Sequence, residues 1–308
     1  MPKVNIPGKK LPDHWSDISA VVVTYQPDAL VLENLRRLLR QVPAVIVVDN
    51  GSVGESAKVV EAAGNLAGVE LIRNGSNLGI ATALNVGIRQ ALRAGCQWVA
   101  TFDQDSSISD GYFEELFRAY HACPAPEKVG MVVPGKCSPQ AAAPAPVTVS
   151  VDSLFSYTPA AITSGSLTKA GVFPAAGMYD EGLFIDFVDV DFCLQLRKNG
   201  FKILKAKRAV LNHELGTKET RNLLGLKISF RSHSTWRHYY MMRNRILLYR
   251  RYFTVFPMWV CCEAGLICYD FTKIICLEDK TAVRLRTVCK GIGDGLRGIT
   301  GRHADFPK

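Results

Sequence analysis

The chain has 308 residues, 48% of them apolar, and a formal net charge of +9. That length supplies a sizeable core, enough for one large α/β domain with an extension. Nine cysteines without CxxC or Cys/His spacing favour reduced thiols in a cytoplasmic protein over disulfides or zinc. The polar opening MPKVNIPGKKLPDHW excludes a secretory signal.

In chain order, ISAVVVT (18–24) reads as a buried strand, followed by a turn from which Asp28 caps a helix reaching to about Gln41. AVIVV (44–48) is a second strand ending at Asp49-Asn50-Gly51-Ser52, and a helix follows to about Ala63. Residues 69–72 form a third strand. Arg73-Asn74-Gly75-Ser76-Asn77-Leu78-Gly79 then opens a helix to about Ala94. Strands alternating with helical patterns of this length imply βαβ units and a parallel sheet.

The fourth strand, 99–102, runs directly into Asp103-Gln104-Asp105. At the carboxyl edge of a parallel sheet, two acids one residue apart stand at the mouth of a ligand crevice. They repel unless a cation lies between them, and hard oxygen donors suit Mg²⁺ or Mn²⁺. Polar residues follow strands two, three and four, as a nucleotide crevice on one edge requires. GxGxxG is missing after the first strand, which argues against a dinucleotide site. GMVVPGKC (130–137) nearly matches a phosphate-binding loop. However, Cys137 replaces the magnesium-binding hydroxyl and a Pro/Ala-rich coil follows, so the stretch reads as a strand and turn.

Residues 135–160 read as a loop with short strands, and 163–166 as the start of a short helix. In MYDEGLFIDFVDVDFCLQLRKNGFKI (178–203), five acids lie within twelve positions, interleaved with Phe and Leu. That is no solvated tail. From Asp189 the pattern turns helical and stops at Asn199-Gly200, which places Asp189 at a helix N-terminus, where a carboxylate is stabilised. A strand pair follows at 201–204 and 209–211, leading to His213.

Residues 197–251 carry fifteen Lys/Arg against two acids, which implies an anionic partner: nucleic acid, anionic lipid or a phosphorylated substrate. Within them 214–235 are polar and basic, and WRHYYMMRNRILLYRRYF (236–253) is an aromatic, basic helix. Residues 256–277 are apolar but interrupted by Glu263, Asp270 and Lys273, with the two acids on one helix face. The stretch is too polar to cross a bilayer and fits an amphipathic helix lying on a membrane. The alternative is a helix packed on the main domain, or on a second subunit in a homo-oligomer.

VVVTY (21–25), VDNGS (48–52), RNGSNLGIATALNVGI (73–88), FDQDS (102–106), DEGLFIDFVDVDF (180–192), NHELG (212–216) and YYMMRN (239–244) occur in an order and spacing that resemble the inverting glycosyltransferases of family 2. The likeness spans roughly 18–250 and is strongest to the bacterial rhamnosyltransferase branch, which uses dTDP-L-rhamnose. It implies a GT-A fold, an α/β Rossmann-like and mostly parallel sheet flanked by helices. It divides the chain into an N-terminal extension (1–17), a catalytic domain (18–235) and a C-terminal helical, membrane-associating region (236–308).

Carried over by residue, the resemblance implies that Thr24 and Tyr25 line the base and ribose pocket and that Asp49 bonds the pyrimidine. Arg73, Asn77, Gly79 and Asn85 shape the nucleotide wall. Asp103 and Asp105 form the DxD element, with Gln104 beside the donor nucleotide, and His213 completes the metal shell. Asp189 is the catalytic base, in a pair whose first acid is here Val188. Asp191, Arg243 and Asn244 face the pyrophosphate or the acceptor. Mg²⁺ or Mn²⁺ is the implied cofactor. The implied acceptor is a lipid-linked surface glycan at the inner face of the cytoplasmic membrane. A transferase using a UDP-sugar is the nearest alternative. A nucleic-acid-binding protein, suggested by the basic block with Trp236 and Tyr239, leaves the acidic set without a role.

Overall fold

The computed structural model of the chain describes residues 17–137, 154–212, 218–223, 226–231 and 233–306. A nine-stranded sheet is sandwiched between helices. Its strands run in the order β3 (Val69–Arg73), β2 (Ala44–Asp49), β1 (Ile18–Thr24), β4 (Trp98–Asp103), β8 (Ser166–Lys169), β6 (Val129–Cys137), β9 (Lys202–Asn212), β5 (Ser107–Ile108), with β7 (Phe155–Thr158) also on β9. β3, β2, β1 and β4 are mutually parallel, as are β6 and β9; β8 runs antiparallel between β4 and β6. All seven residues of β1 are buried, which explains its unbroken apolar run: helices cover both faces of the sheet.

One side of the sheet packs on α1 (Leu30–Leu39) and α4 (Tyr112–Ala122) through Leu35, Leu38, Phe113 and Leu116. The other packs on α3 (Ile80–Arg93) and α6 (Val188–Lys198) through Leu84, Ile88, Phe192 and Leu196. α2 (Gly54–Gly64) and the short α5 (Val172–Ala176) complete the layers. Three further helices follow: α7 (Thr235–Tyr252), α8 (Pro257–Leu277) and α9 (Thr281–Arg297). α9 lies close on α7. A Cβ on Gly291 would meet the Tyr239 carbonyl at 2.6 Å, and one on Gly295 the Arg243 carbonyl at 2.7 Å.

The structure departs from the sequence reading at four places. Residues 163–166 do not start a helix: Ser166 and Thr168 pair with Thr101 and Val99, so the segment supplies the neighbour β4 needs. The strand pair at 201–204 and 209–211 is one strand, kept on β6 by a register shift at Pro134/Lys136. Within the polar stretch 214–235, β10 (Lys218–Leu223) and β11 (Leu226–Arg231) form a hairpin. Part of the basic block is neutralised within the protein, while Lys198, Lys202, Lys207, Lys227 and Arg250 stay exposed: Arg237 pairs with Asp186, Arg245 with Glu263 and Asp270, and Arg251 with Asp180 and Asp191. Its neutralising acids come from distant parts of the chain.

Candidate active site

Four parallel strands end on one edge of the sheet. In register, Thr24 stands beside Asp49, Asp49 beside Arg73, and Val23 beside Asp103. The edge therefore presents Thr24, Asp49, Arg73 and Asp103 side by side, where open α/β sheets bind ligands. Asp49 is buried. Its Oδ1 accepts from the hydroxyls of Thr24 (3.2 Å) and Ser52 (2.5 Å), and its Oδ2 from the Ser52 amide at 3.0 Å.

The Asp103-Gln104-Asp105 turn is braced from three sides. The Tyr25 amide donates to Gln104 Oε1 (2.8 Å) and the Asn34 side chain to the Gln104 carbonyl (3.1 Å). The Asp103 amide donates to Ser164 Oγ (3.1 Å), which also contacts Ser106 Oγ at 2.7 Å. Ser164 is buried, and the sequence reading missed it: its only local signal is a Gly neighbour at a turn. A cleft of about 270 Å³ between α1 and this turn is lined by Asn34, Gln104, Asp105 and Asn212. A second, of about 350 Å³, is lined by Asp49, Ser52, Lys58 and Arg73. His213 lies outside the described residues.

Asn50 was also missed, although it follows Asp49 directly in VDNGS. Its Oδ1 accepts from the Asn74 side chain (3.1 Å) and the Leu78 amide (3.0 Å), and its Nδ2 donates to Asn77 Oδ1 at 3.0 Å. Asn77 Oδ1 also accepts from the Gly79 amide. These bonds hold the loop after β3 against the loop after β2.

The remaining candidates converge on a strap, residues 178–187, that leads into α6. Asn85 is buried on α3 and clamps the strap: its Nδ2 donates to the Tyr179 carbonyl and Glu181 Oε1, both at 2.8 Å, and its Oδ1 accepts from the Tyr179 amide. Gly79 has φ +90° and touches Phe184; a Cβ there would lie 2.6 Å from the Phe184 ring and carbonyl. From the other side, α7 grips the same strap. Arg243 is 0% exposed, with Nη2 on the Leu183 carbonyl (2.9 Å) and Nη1 on the Gly301 carbonyl. Asn244, also 0% exposed, donates to the carbonyls of Leu183 (3.0 Å), Ile185 (2.8 Å) and Asp186 (2.8 Å). Three strap residues, Phe184, Asp186 and Phe187, hold φ of 62 to 64°, which bulky side chains rarely adopt.

The strap delivers Asp189 to the first turn of α6, where its Oδ1 accepts the Val190 amide at 2.8 Å. Burial, reinforced by the nearby Asp186 charge, pushes the Asp189 carboxyl above the usual range. Asp191 faces the other way. It is 0% exposed and receives Arg251 (2.7 Å), Tyr252 Oη (2.8 Å) and the Gln195 amide, which fasten α6 to the end of α7.

The structure therefore brings Thr24, Tyr25, Asp49, Arg73, Asp103, Gln104 and Asp105 to one edge, with Asn77 and Gly79 in the adjoining loop. It does not bring Asn85, Asp191, Arg243 or Asn244 to that surface. All four are buried and hydrogen-bonded within the protein, where they hold the strap and α6 in place. Among the described residues no group of three His, Cys, Asp or Glu could hold a metal by itself. Two carboxylates suit a hard cation that takes its other oxygens from a bound diphosphate.

The model of the glycosyl transferase family 2 domain matches residues 19–125. The chain is 29% identical over 315 aligned residues to the dTDP-rhamnosyl transferase RfbF of Shigella flexneri, covering 93% of this chain and 97% of that protein. Among solved structures it is similar to GalNAc-T7 with UDP, GalNAc and Mn²⁺ (TM-score 0.61, 15% identity). That match covers 94% of this chain and 57% of the other, so the chain spans little more than half of that protein. It is also similar to the mannosyltransferase PcManGT of Pyrobaculum calidifontis in complex with GDP-Man and Mn²⁺ (TM-score 0.57, 14% identity, 91% and 75% covered). These likenesses establish a GT-A type of fold. The chain carries a glycosyl transferase family 2 domain and is a glycosyltransferase.

Proposed function

We propose that the chain transfers L-rhamnose from dTDP-L-rhamnose to a hydroxyl of a lipid-linked glycan at the inner face of the cytoplasmic membrane, by a single displacement with inversion. The observation that carries this reading is the likeness to a dTDP-rhamnosyl transferase over nearly the whole of both chains. In this reading Thr24, Tyr25, Asp49, Arg73 and Asn77 form the nucleotide pocket. Asp103 and Asp105 would hold Mg²⁺ or Mn²⁺, with His213, outside the described residues, as the expected third ligand. That ion, bound with the donor diphosphate, supplies Lewis-acid neutralisation of the leaving group.

Asp189 takes the proton of the acceptor hydroxyl. Its buried position keeps the carboxylate more basic than one in water, and a positioned base is worth ~10²–10⁴ in rate. Asn85, Arg243 and Asn244 act on the reaction through the strap that aims Asp189. Asp191 acts through the anchorage of α6.

The test is thermal protection by donors. With Mn²⁺ and ligand at about 100 times its Kd, dTDP and dTDP-rhamnose should stabilise the protein by roughly 2.7 kcal/mol. EDTA or Asp105→Asn should abolish the shift. A selective response to UDP-sugars would overturn the donor assignment, and indifference to every nucleotide would overturn the reading as a whole.

A further inference from the structure

α8 is built inside out for a helix facing water. Its three charged side chains all point inward: Glu263 and Asp270 onto Arg245 of α7, and Lys273 onto the buried Glu278. The outward arc carries no charge along 21 residues, about 31 Å of helix. Met258, Leu266, Tyr269 and Ile275 stand on it, 76%, 48%, 62% and 57% exposed, and Cys262 and Cys276 are exposed too. Sequence spacing alone assigns Glu263 and Asp270 a common face; the structure turns that face to the protein and leaves the apolar one outside. An uncharged face of this length is a contact surface rather than ordinary scatter.

The neighbouring helix states what it contacts. On α9 the exposed positions hold Arg286, Lys290 and Arg297 together with Val283 and Leu296, while its acid, Asp294, is buried. Lys280 and Arg302 at its two ends are also exposed, as are Asp279, paired with Arg221, and Asp305; Lys290 and Arg297 each lie 3.3 Å from Asp294. Apolar residues interleaved with an excess of cations fit an anionic lipid surface, where the side chains enter the headgroup boundary and the cations meet phosphates. The same arrangement disfavours a twofold pairing of two copies, which would bring cation against cation. The helix lies in the surface rather than across it, since among the described residues no helix is long and apolar enough to span a bilayer.

We propose that the outer face of α8, with the exposed cations of α9, is the surface by which this transferase docks on anionic lipid. The proposal gives a physical seat to the lipid-linked acceptor in the reading above, and is tested without reference to transfer. The full chain is floated with vesicles of phosphatidylcholine alone and of phosphatidylcholine with phosphatidylglycerol. Binding should occur on the anionic vesicles and weaken with salt. Leu266→Glu should reduce it roughly tenfold or more, and Arg286→Glu at least fivefold. Melting temperature and the donor shift should be unchanged in both variants, because both side chains are exposed. A folded protein that ignores anionic vesicles overturns the proposal. So does sedimentation showing a dimer that Leu266→Glu dissociates, which would assign the face to a second copy. Vesicle binding without any nucleotide response would leave the surface standing and remove the transferase reading instead.

Discussion

Asn244 discriminates between two ways of reading a polar residue beside an active site. The sequence places it against the pyrophosphate or the acceptor. The structure buries it fully, with two N–H donors shared over the carbonyls of Leu183, Ile185 and Asp186 and its Oδ1 accepting from Arg243 Nε at 3.0 Å. Asn244→Ala removes these bonds and leaves the carbonyls without their donor. At about 1 kcal/mol net for each hydrogen bond lost, the cost is about 3 kcal/mol. For a chain of this size that lowers the melting temperature by about 5 °C. Phe184, Asp186 and Phe187 would then relax from their left-handed conformations, and Asp189, two residues beyond Phe187, would move with them. A displacement near 1 Å costs about 10²-fold in turnover.

The assay is a thermal melt with steady-state kinetics on the same preparation. The expected result is a lower melting temperature and a lower kcat with the donor KM nearly unchanged. Asn244→Asp, which keeps the shape but turns an oxygen toward three carbonyls, should be at least as damaging. An unchanged melting temperature together with a donor KM raised tenfold would refute the reasoning and return Asn244 to the diphosphate.

Two other variants probe the same region. Asp189→Asn should lower transfer ~10²–10⁴-fold while leaving donor protection intact. Its fold should be at least as stable as wild type at neutral pH: the Asp189 pKa is raised in the fold, so its ionisation opposes folding above the ordinary Asp pKa, and the advantage of the variant should vanish in acid, where both states are protonated. A pH series of chemical denaturation checks the sign, and a variant less stable at neutral pH would contradict it. Gly79→Ala forces a side chain into φ +90° and against the Phe184 ring and carbonyl, so the denaturation midpoint should fall by more than about 1 kcal/mol in free energy. A neutral outcome would show that the loop and the strap are not in firm contact.

The sheet and its edge were legible because both write short-range patterns. β1 and β2 are buried on both faces and so read as unbroken Val/Ile runs, and the polar residues at their ends fall where those runs stop. What was not legible depends on partners far away in sequence. Arg243 looks like an anion ligand in YYMMRN. Its carbonyl partners lie about sixty residues to either side, and nothing local announces them. The ion pairs of Arg237, Arg245 and Arg251 within the basic block were hidden for the same reason: Asp186 and Asp191 precede it and Glu263 and Asp270 follow it. β8 was mistaken for a helix start because a four-residue strand carries too little periodicity to identify itself, and only its pairing with β4 defines it.

The strap ties the proposed donor edge to the proposed base. The loop holding Asn77 and Gly79 adjoins the sheet edge of Thr24, Asp49, Arg73 and Asp103, and through the Gly79–Phe184 contact and the Ile80 amide on the Phe184 carbonyl (2.8 Å) it is continuous with the segment that ends in Asp189. On its far side the same segment is fixed to α7, which in turn is packed on α9 through Gly291 and Gly295. A backbone held at φ above 60° in three bulky or charged residues persists only when both sides over-determine it. The loop after β3, the strap and the start of α6 are therefore one mechanical piece. That explains why an Asn and an Arg with no route to solvent stand among these motifs: they hold the backbone that carries Asp189, the proposed base, into the first turn of α6.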